Sequence, residues 1–230
     1  VARRIHVPNL HVGRIELPQA QVHHARDVLR MEEHTSVELF DDAGQVARGQ
    51  LRFYGTQGAF VLVEAVVSPG ADLFRLTIAS AVPKGERSDW LIEKLSELGV
   101  SRFIPLATAR SVVLPTGRGK KQRWERLAIE AAKQSHRAGV MRIDELTPLE
   151  AAVEAGWYLS TEAGARPIGE LLRKEHGRTL RLFIGPEGGW TDGERAAFDV
   201  AGLTAVRLTD TILRIETAAV AAAAVVVCAR

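Results

Sequence analysis

The stretch Arg181-Leu182-Phe183-Ile184-Gly185-Pro186-Glu187-Gly188-Gly189-Trp190-Thr191 constrains the fold more than any other part of the chain. It reads as a strand, a glycine-rich loop and the start of a helix. Leu182, Phe183 and Ile184 form a short apolar run suited to a strand buried on both faces. Gly185, Gly188 and Gly189 carry no Cβ, so a ligand can lie close to bare backbone N–H groups, and Pro186 fixes one φ within the loop. Thr191-Asp192-Gly193-Glu194 then fits a capping box. A glycine loop at the carboxyl end of a parallel strand is the usual address of a small-molecule site in an α/β sheet. The sequence has no G-x-x-x-x-G-K-[ST] and no G-x-G-x-x-G, which removes the P-loop and the dinucleotide fingerprint. From this cluster alone a tight turn without a ligand stays open. A second stretch, Leu213-Arg214-Ile215-Glu216-Thr217-Ala218-Ala219, shifts the balance towards a site. It follows one strand and one loop later, carries a charged pair and runs into an apolar helix.

The rest of the second half alternates in the same way. Strands are expected at Phe74 to Val82, Arg102 to Ala107, Trp157 to Ser160 and Ala205 to Leu208. Ser88 is expected to cap a helix with an apolar face of Trp90, Leu91, Leu95 and Leu98, closed by Gly99. Further helices are expected over Lys120 to Ala138 (stopped by Gly139), from a capping box at Thr147-Pro148-Leu149-Glu150 to Gly156, over Pro167 to His176, and from Thr191 to Ala201. Repeated βα alternation implies a parallel sheet with helices on both faces. The last helix, Ala218 to Ala229, is apolar all round and must be covered by the sheet, a partner subunit or both; a homodimer through it is expected.

The first part differs. Val37-Glu38-Leu39-Phe40, Gln45 to Tyr54 and Phe60 to Val67 read as strands, with a hairpin signal at Asp41-Asp42-Ala43-Gly44 and one helix near Gln19 to Leu29. This is the pattern of a small barrel-like module. Ser68-Pro69-Gly70 marks the boundary, giving domains at 1–70 and 71–230.

Composition excludes several classes. With 46% hydrophobic and 25% charged residues, the 230-residue chain is of ordinary globular type. The one cysteine, Cys228, permits no internal disulfide and reads as a small core residue; His6, His11, His23, His24, His34, His136 and His176 show no metal-ligand spacing, so no metal is expected. There is no leader-like apolar segment, and the longest apolar run falls short of the ~20 residues that span a bilayer. A cytoplasmic protein with no membrane partner is expected. A net charge of +2 says little about nucleic acid; the local runs say more. Arg110, Arg118, Lys120, Lys121, Arg123, Arg126, Lys133, Arg137 and Arg142 face only Glu125 and Glu130 in sequence. Several of these cations fall in the first turns of a helix, where the macrodipole disfavours them, which suggests an anion arriving from outside. Arg3, Arg4, His6, His11 and Arg14, with Arg26 and Arg30 nearby, form a second run. Either run alone reads more readily as a solvated face; two in different modules make phosphate contacts more plausible. Trp124 and Tyr54 are candidates to stack on bases or to fill cores.

Together these motifs resemble the SPOUT methyltransferases, and more narrowly the RsmE-type enzymes that methylate N3 of a uridine in small-subunit ribosomal RNA. The glycine loop Gly185 to Gly189 and the run Leu213 to Ala218 carry the signature. Pro83-Lys84-Gly85-Glu86-Arg87, Glu93 to Val100, Pro105 to Ser111, and Gln134 with Arg137 match further segments, as do Val28-Leu29-Arg30 and Leu39-Phe40-Asp41. The run also departs from the family pattern, with Thr209 in place of a glycine, Thr211 of an arginine, Ile215 of a threonine and Met141 of a proline.

The resemblance implies a PUA-like β-barrel followed by an α/β SPOUT domain with a C-terminal trefoil knot, acting as a homodimer on 16S rRNA or the small ribosomal subunit. S-adenosyl-L-methionine is the implied cofactor. Its implied contacts are Thr161, Glu162, Gly185, Pro186, Glu187, Gly188, Gly189, Leu208, Ile212, Leu213, Thr217 and Ala218. Arg214 is the implied stabiliser of negative charge developing on the uracil, and Glu216 its orienter or a base. Arg3, Arg4, Arg30, Arg87, Arg110, Lys120, Lys121, Arg123 and Arg137 are the expected RNA contacts. Two rivals stay open: a SPOUT enzyme for another RNA position, and a catalytically silent RNA-binding or ribosome-assembly factor.

Overall fold

The computed structural model describes residues 3–55, 58–68, 70, 74–115 and 117–230. The residues group into two compact units, Val1–Ala71 with Ala132–Val140, and Asp72–Ala131 with Met141–Arg230. Pro69 and Ala71 to Leu73, where the expected boundary falls, lie outside the described residues.

The first unit contains β1 (Arg3–His6), β2 (Gly13–Glu16), a short helix α1 (Gln19–His23) that continues as a wider π-helical turn over His24–Val28, then β3 (Ser36–Phe40), β4 (Val46–Tyr54) and β5 (Gly58–Val63). The strands form one sheet in the order β1-β3-β4-β5-β2, in which only β1 and β3 pair in parallel. Alternate residues Val37, Leu39, Leu51, Ala59, Val61 and Val63 point into its core with Ile5, Ile15 and Val22. At the β3–β4 hairpin the buried Asp41 accepts a hydrogen bond from the Gln45 N–H at 2.9 Å.

The second unit continues with β6 (Arg75–Ser80), α2 (Glu86–Glu97), β7 (Arg102–Ala107), α3 (Arg118–Gln134), β8 (Arg142–Ile143), β9 (Thr147–Pro148), α4 (Leu149–Ala152), β10 (Trp157–Leu159), β11 (Arg166–Pro167), α5 (Ile168–Leu172), β12 (Thr179–Ile184), α6 (Asp192–Val200), β13 (Thr204–Arg207) and α7 (Ile215–Cys228). Its sheet runs β11-β13-β10-β12-β6-β7-β8, and every pairing is parallel. Parallel strands covered on both faces explain the apolar Leu182-Phe183-Ile184 run, which is wholly buried. Stacked behind it are Phe198 on Tyr158 at 4.6 Å and Trp190 edge-on to Phe198 at 4.9 Å.

Several local expectations need correction. Ser88 is not the cap of α2: Gly85 is, at φ +63, and the Ser88 hydroxyl donates to the Gly85 carbonyl from inside the first turn. The buried stripe holds the expected Leu91 and Leu95 but continues through Ser88, Ile92 and Ser96, which leaves Trp90 exposed rather than on the apolar face. Thr147 forms no capping box; it lies in β9 beside β7, and Pro148 precedes α4. Helix α3 ends at Gln134, because His136 takes φ +55. Gly139 at φ +80 instead lies against the Asp42–Gly44 turn, where a Cβ would come within 3.1 Å of the Asp42 carbonyl oxygen. Helix α7 buries Ile215, Glu216, Ala218, Ala219, Ala222, Ala223 and Val226 but leaves a second stripe towards solvent. That stripe includes Val225 and Cys228, so the cysteine is exposed and not a core residue.

Candidate functional site

The carboxyl ends of the adjacent strands β13, β10 and β12 supply three loops that enclose a cavity of about 470 Å³. Leu159 to Glu162 follow β10, Ile184 to Trp190 follow β12, and Leu208, Thr209 and Thr211 to Ile215 follow β13; Arg110, Arg195 and Ala218 complete the wall. The cavity brings together Thr161, Glu162, Gly185, Pro186, Glu187, Gly188, Gly189, Leu208, Ile212, Leu213, Arg214 and Ala218. Thr217 is exposed on α7 outside the cavity.

The glycine loop is built for close approach. Gly189 takes φ +68 and its N–H closes a turn on the Pro186 carbonyl at 2.9 Å. A Cβ at Gly185 would sit 2.9 Å from Trp190 Cε2, and one at Gly188 would sit 3.2 Å from Arg110 Cδ. The N–H groups of Glu187 and Gly188 have no hydrogen-bond acceptor among the described residues. Free donors on bare backbone suit a polar ligand, while Ile184, Leu208 and Leu213 offer it apolar contact.

The loop is fixed from below by side chains of which the sequence pointed only to the capping pair, Thr191 and Glu194. The Trp190 indole N–H donates to the Leu159 carbonyl at 2.9 Å, which ties the end of β12 to the end of β10. The Thr191–Glu194 capping box is complete, with Glu194 N donating to Thr191 Oγ1 and Glu194 Oε2 accepting from Thr191 N at 2.7 Å. Glu194 is buried, and its other oxygen accepts from the Ala109 N–H at 2.9 Å. Arg195 donates to the Trp190 carbonyl, is paired with Asp192 and lies 3.6 Å from Glu162. The one sequence signal for these partners was the capping box itself; their reach to the neighbouring loops is tertiary.

The two expected catalytic residues separate. Arg214 occupies the N-cap position of α7, lines the cavity, and has no ion-pair partner among the described residues. Glu216 neither lines the cavity nor meets Arg214. It is buried in the first turn of α7, with Oε1 3.4 Å from Arg87 and Oε2 unpartnered. Two residues along a helix turn the side chain to a different face.

The expected RNA contacts divide likewise. Arg110 lines the cavity and donates to the Gly188 carbonyl at 2.6 Å. Arg4 is nearly enclosed: it pairs with Glu38 at 2.8 Å, lies over the Phe40 ring and donates to the Ala132 and Arg137 carbonyls. Arg3 donates to the Leu29 carbonyl, and Arg30 is exposed at φ +48. Burial pulls the Arg137 guanidinium down to about 10. Lys120 and Arg123 both bond Asp89, at 2.9 and 2.7 Å, as does the Trp124 indole N–H at 3.0 Å. Lys121 bonds Glu145 at 2.7 Å. Lys120, Lys121 and Arg123 therefore have carboxylates from elsewhere in the same unit, and Trp124 is buried against Phe103. Burial alone would raise Asp89, but the hydrogen bonds from Lys120 and Trp124, the Lys120 charge and Arg123 outweigh it and hold the carboxyl below its usual value. Asp89, Lys120 and Arg123 border a second cavity of about 490 Å³ beside Gly85 and Leu114. Tyr54 is 48% exposed and donates to Glu16 at 2.8 Å.

No group of three or more His, Cys, Asp or Glu among the described residues could hold a metal ion, and no helix among them is long and apolar enough to cross a membrane. Residues 71–227 match the family described as RNA methyltransferase domain. A relative from Synechocystis sp., named ribosomal RNA small subunit methyltransferase E, is 32% identical over 218 residues, spanning 89% of this chain and 69% of its own length. One of the same name from Mycobacterium bovis is 35% identical over 213 residues, spanning 86% and 80%. Among solved structures, a ribosomal RNA small subunit methyltransferase E from Neisseria gonorrhoeae bound to S-adenosyl methionine superposes with a TM-score of 0.82 at 29% identity, over 98% of this chain and 96% of that one. By sequence and by fold, the chain belongs to the RNA methyltransferase family whose matched members are named ribosomal RNA small subunit methyltransferase E.

Proposed function

We propose that this chain transfers a methyl group from S-adenosyl-L-methionine to N3 of a specific uridine in 16S rRNA, as free RNA or within the small ribosomal subunit. The observation that carries the reading is the cavity itself: three loop ends, bare glycine backbone with free N–H donors, and an unpaired Arg214 at its wall. The cofactor supplies a methyl group already activated on a sulfonium. The chain's own work is then to align acceptor with donor and to make the acceptor nucleophilic. Holding the two in line supplies much of the barrier reduction. Uridine N3 carries a proton, and the neutral form is a poor nucleophile. The Arg214 guanidinium can donate to a uracil carbonyl oxygen, which shares the charge of the N3 anion, and so favour the anion while leaving the N3 lone pair for the methyl group. With Glu216 turned away towards Arg87, Arg214 carries this role through electrostatics.

The homodimer and the knot belong to the same reading. Thr217, Val220, Ala221, Ala224, Val225 and Cys228 recur at helical spacing on α7 and none is charged, a face suited to a second copy. The trefoil knot is supported by the non-sequential order β13-β10-β12, and the PUA-like barrel by the separate five-stranded sheet. A cytoplasmic location follows from an rRNA substrate. Calorimetric titration with S-adenosylmethionine, then mass spectrometry of nucleosides from treated small-subunit RNA, tests the proposal. N3-methyluridine is the expected product. Another methylated nucleoside would move the substrate, and no cofactor binding by folded protein would leave a silent RNA-binding factor.

A further inference from the structure

Three guanidinium groups line the cofactor cavity, and they are not equivalent. Arg195 is paired with Asp192 and lies near Glu162. Arg214 and Arg110 have no carboxylate partner among the described residues. Arg110 is exposed, yet it is anchored at one point: its Nη1 donates to the Gly188 carbonyl at 2.6 Å. Its stem covers the same residue, since a Cβ at Gly188 would come within 3.2 Å of Arg110 Cδ and 3.3 Å of its Cβ. A guanidinium carries five N–H donors, so most remain for a second acceptor. The backbone below is fastened to the same loop. Ala109 N–H bonds Glu194, the carboxylate that also closes the capping box after the glycine loop. Thr108 N–H bonds Ser111 Oγ at 3.0 Å and shapes the turn that presents Arg110.

We propose that Arg110 is a positioning residue that couples the two substrates: an RNA phosphate on the free edge of its guanidinium holds the glycine loop closed over S-adenosylmethionine, and the bound cofactor in turn presents Arg110 to RNA. This rests on the methyltransferase reading above. An exposed arginine held by one bond must be ordered before it can order the loop beneath it. Whichever ligand binds first meets that cost, and the second finds it already met. Charge acts in the same direction. The cofactor brings a sulfonium and an ammonium against one carboxylate into a wall that already holds Arg110 and Arg214, so an anion is favoured next. Coupling of this kind is reciprocal by thermodynamic necessity.

The test measures the affinity for sinefungin, which carries an ammonium where S-adenosylmethionine has its sulfonium and has no methyl to transfer, with and without saturating small ribosomal subunits that carry unmethylated rRNA. In wild type the subunits should tighten it by about fivefold or more. In Arg110→Ala the two affinities should coincide. Arg110→Lys should recover RNA affinity without recovering the coupling, because a single ammonium does not span a carbonyl and a phosphate as the planar fork does. Coupling absent from wild type, or undiminished in Arg110→Ala, overturns the proposal; if the alanine variant loses cofactor binding outright, full coupling in the lysine variant does so. Failure of wild type to bind cofactor or subunits singly would instead overturn the methyltransferase reading.

Discussion

A single methyl group added at Gly185 tests the account of how the cofactor loop is held. In Gly185→Ala the new Cβ would lie 2.9 Å from Trp190 Cε2 and 3.2 Å from Cδ2 and Cζ2. Ordinary carbon contacts lie near 3.5–4.0 Å, so something must move by about 0.5–1 Å. The ring cannot yield freely. It is 6% exposed, edge-on to Phe198, and its N–H is fixed to the Leu159 carbonyl at 2.9 Å. Phe198 in turn is backed by Tyr158. Overpacking costs about 1–3 kcal/mol, and stretching the indole hydrogen bond adds about 1 kcal/mol. The sum, about 2–4 kcal/mol, lowers Tm by roughly 4–16 °C for a chain of this size. Cofactor affinity should fall at least about tenfold, because the ring that shifts ties two of the three cavity loops together. Gly188→Ala is the control: its neighbour is the exposed Arg110 side chain, which can step aside, so Tm should change little. A double-mutant cycle with Trp190→Phe identifies the cause. If the ring contact is responsible, the two penalties are less than additive by about 1 kcal/mol or more. Strict additivity, or a wild-type Tm for Gly185→Ala, refutes the reasoning.

Arg214→Ala should reduce turnover by at least about 100-fold while leaving the calorimetric Kd for S-adenosylmethionine within a few-fold, since it removes charge at the acceptor and no contact that the glycine loop makes. Lost cofactor binding would contradict that assignment. Asp89→Asn should cost about 1–3 kcal/mol at neutral pH, because Lys120 and Arg123 lose their shared carboxylate. The folded Asp89 carboxyl sits below its usual 3.8, so its stabilisation is full above that value and is lost as pH falls through the lower folded one. The Tm gap between variant and wild type should therefore persist from pH 7 to about 4 and close only in more acid solution; a gap already closed at pH 6 would be the wrong sign. Val225→Glu on the open stripe of α7 should shift the sedimentation coefficient to that of a monomer with little loss of helix content by circular dichroism. An unchanged coefficient removes α7 from the interface.

What the sequence made legible was local. The strand–glycine loop–capping box series depends on contacts between near neighbours, and Thr191 with Glu194 formed as the spacing requires. Strand β7 fell on the expected residues for the same reason. That these loops would line one cavity was legible through family resemblance, because they carry the motifs. What failed depended on long-range partners. Arg110 enters the cavity from 78 residues before Gly188, and no periodicity announces that. In α2, Leu91 and Leu95 are buried as expected, but Trp90 is exposed, and a glycine at positive φ starts the helix where a serine was expected to. Glu216 was paired in sequence with Arg214, but α7 directs it to Arg87, which comes from α2. The α3 cations looked surplus because Asp89 lies 31 residues before Lys120.

The pairing of those cations bears on how RNA would be gripped. A cation already engaged by a carboxylate must exchange one anion for another to meet a phosphate, and the exchange releases little condensed counterion on the protein's account. Lys120, Arg123, Lys121 and Arg87 are of this kind. Their pairs fasten the start of α3 to α2 and to Glu145, and hold α2 to α7. Arg110 and Arg214 differ on both counts: neither has a carboxylate partner among the described residues, and both stand on the cofactor cavity. On α3, Lys120 and Arg123 share the Asp89 carboxylate and Lys121 bonds Glu145, whereas Arg110 and Arg214 face the cavity with no carboxylate among the described residues. Under the proposed function, Lys120, Lys121 and Arg123 hold α3 in place as well as adding charge, and Arg110 and Arg214 are the cations of this cavity whose charge is open to RNA.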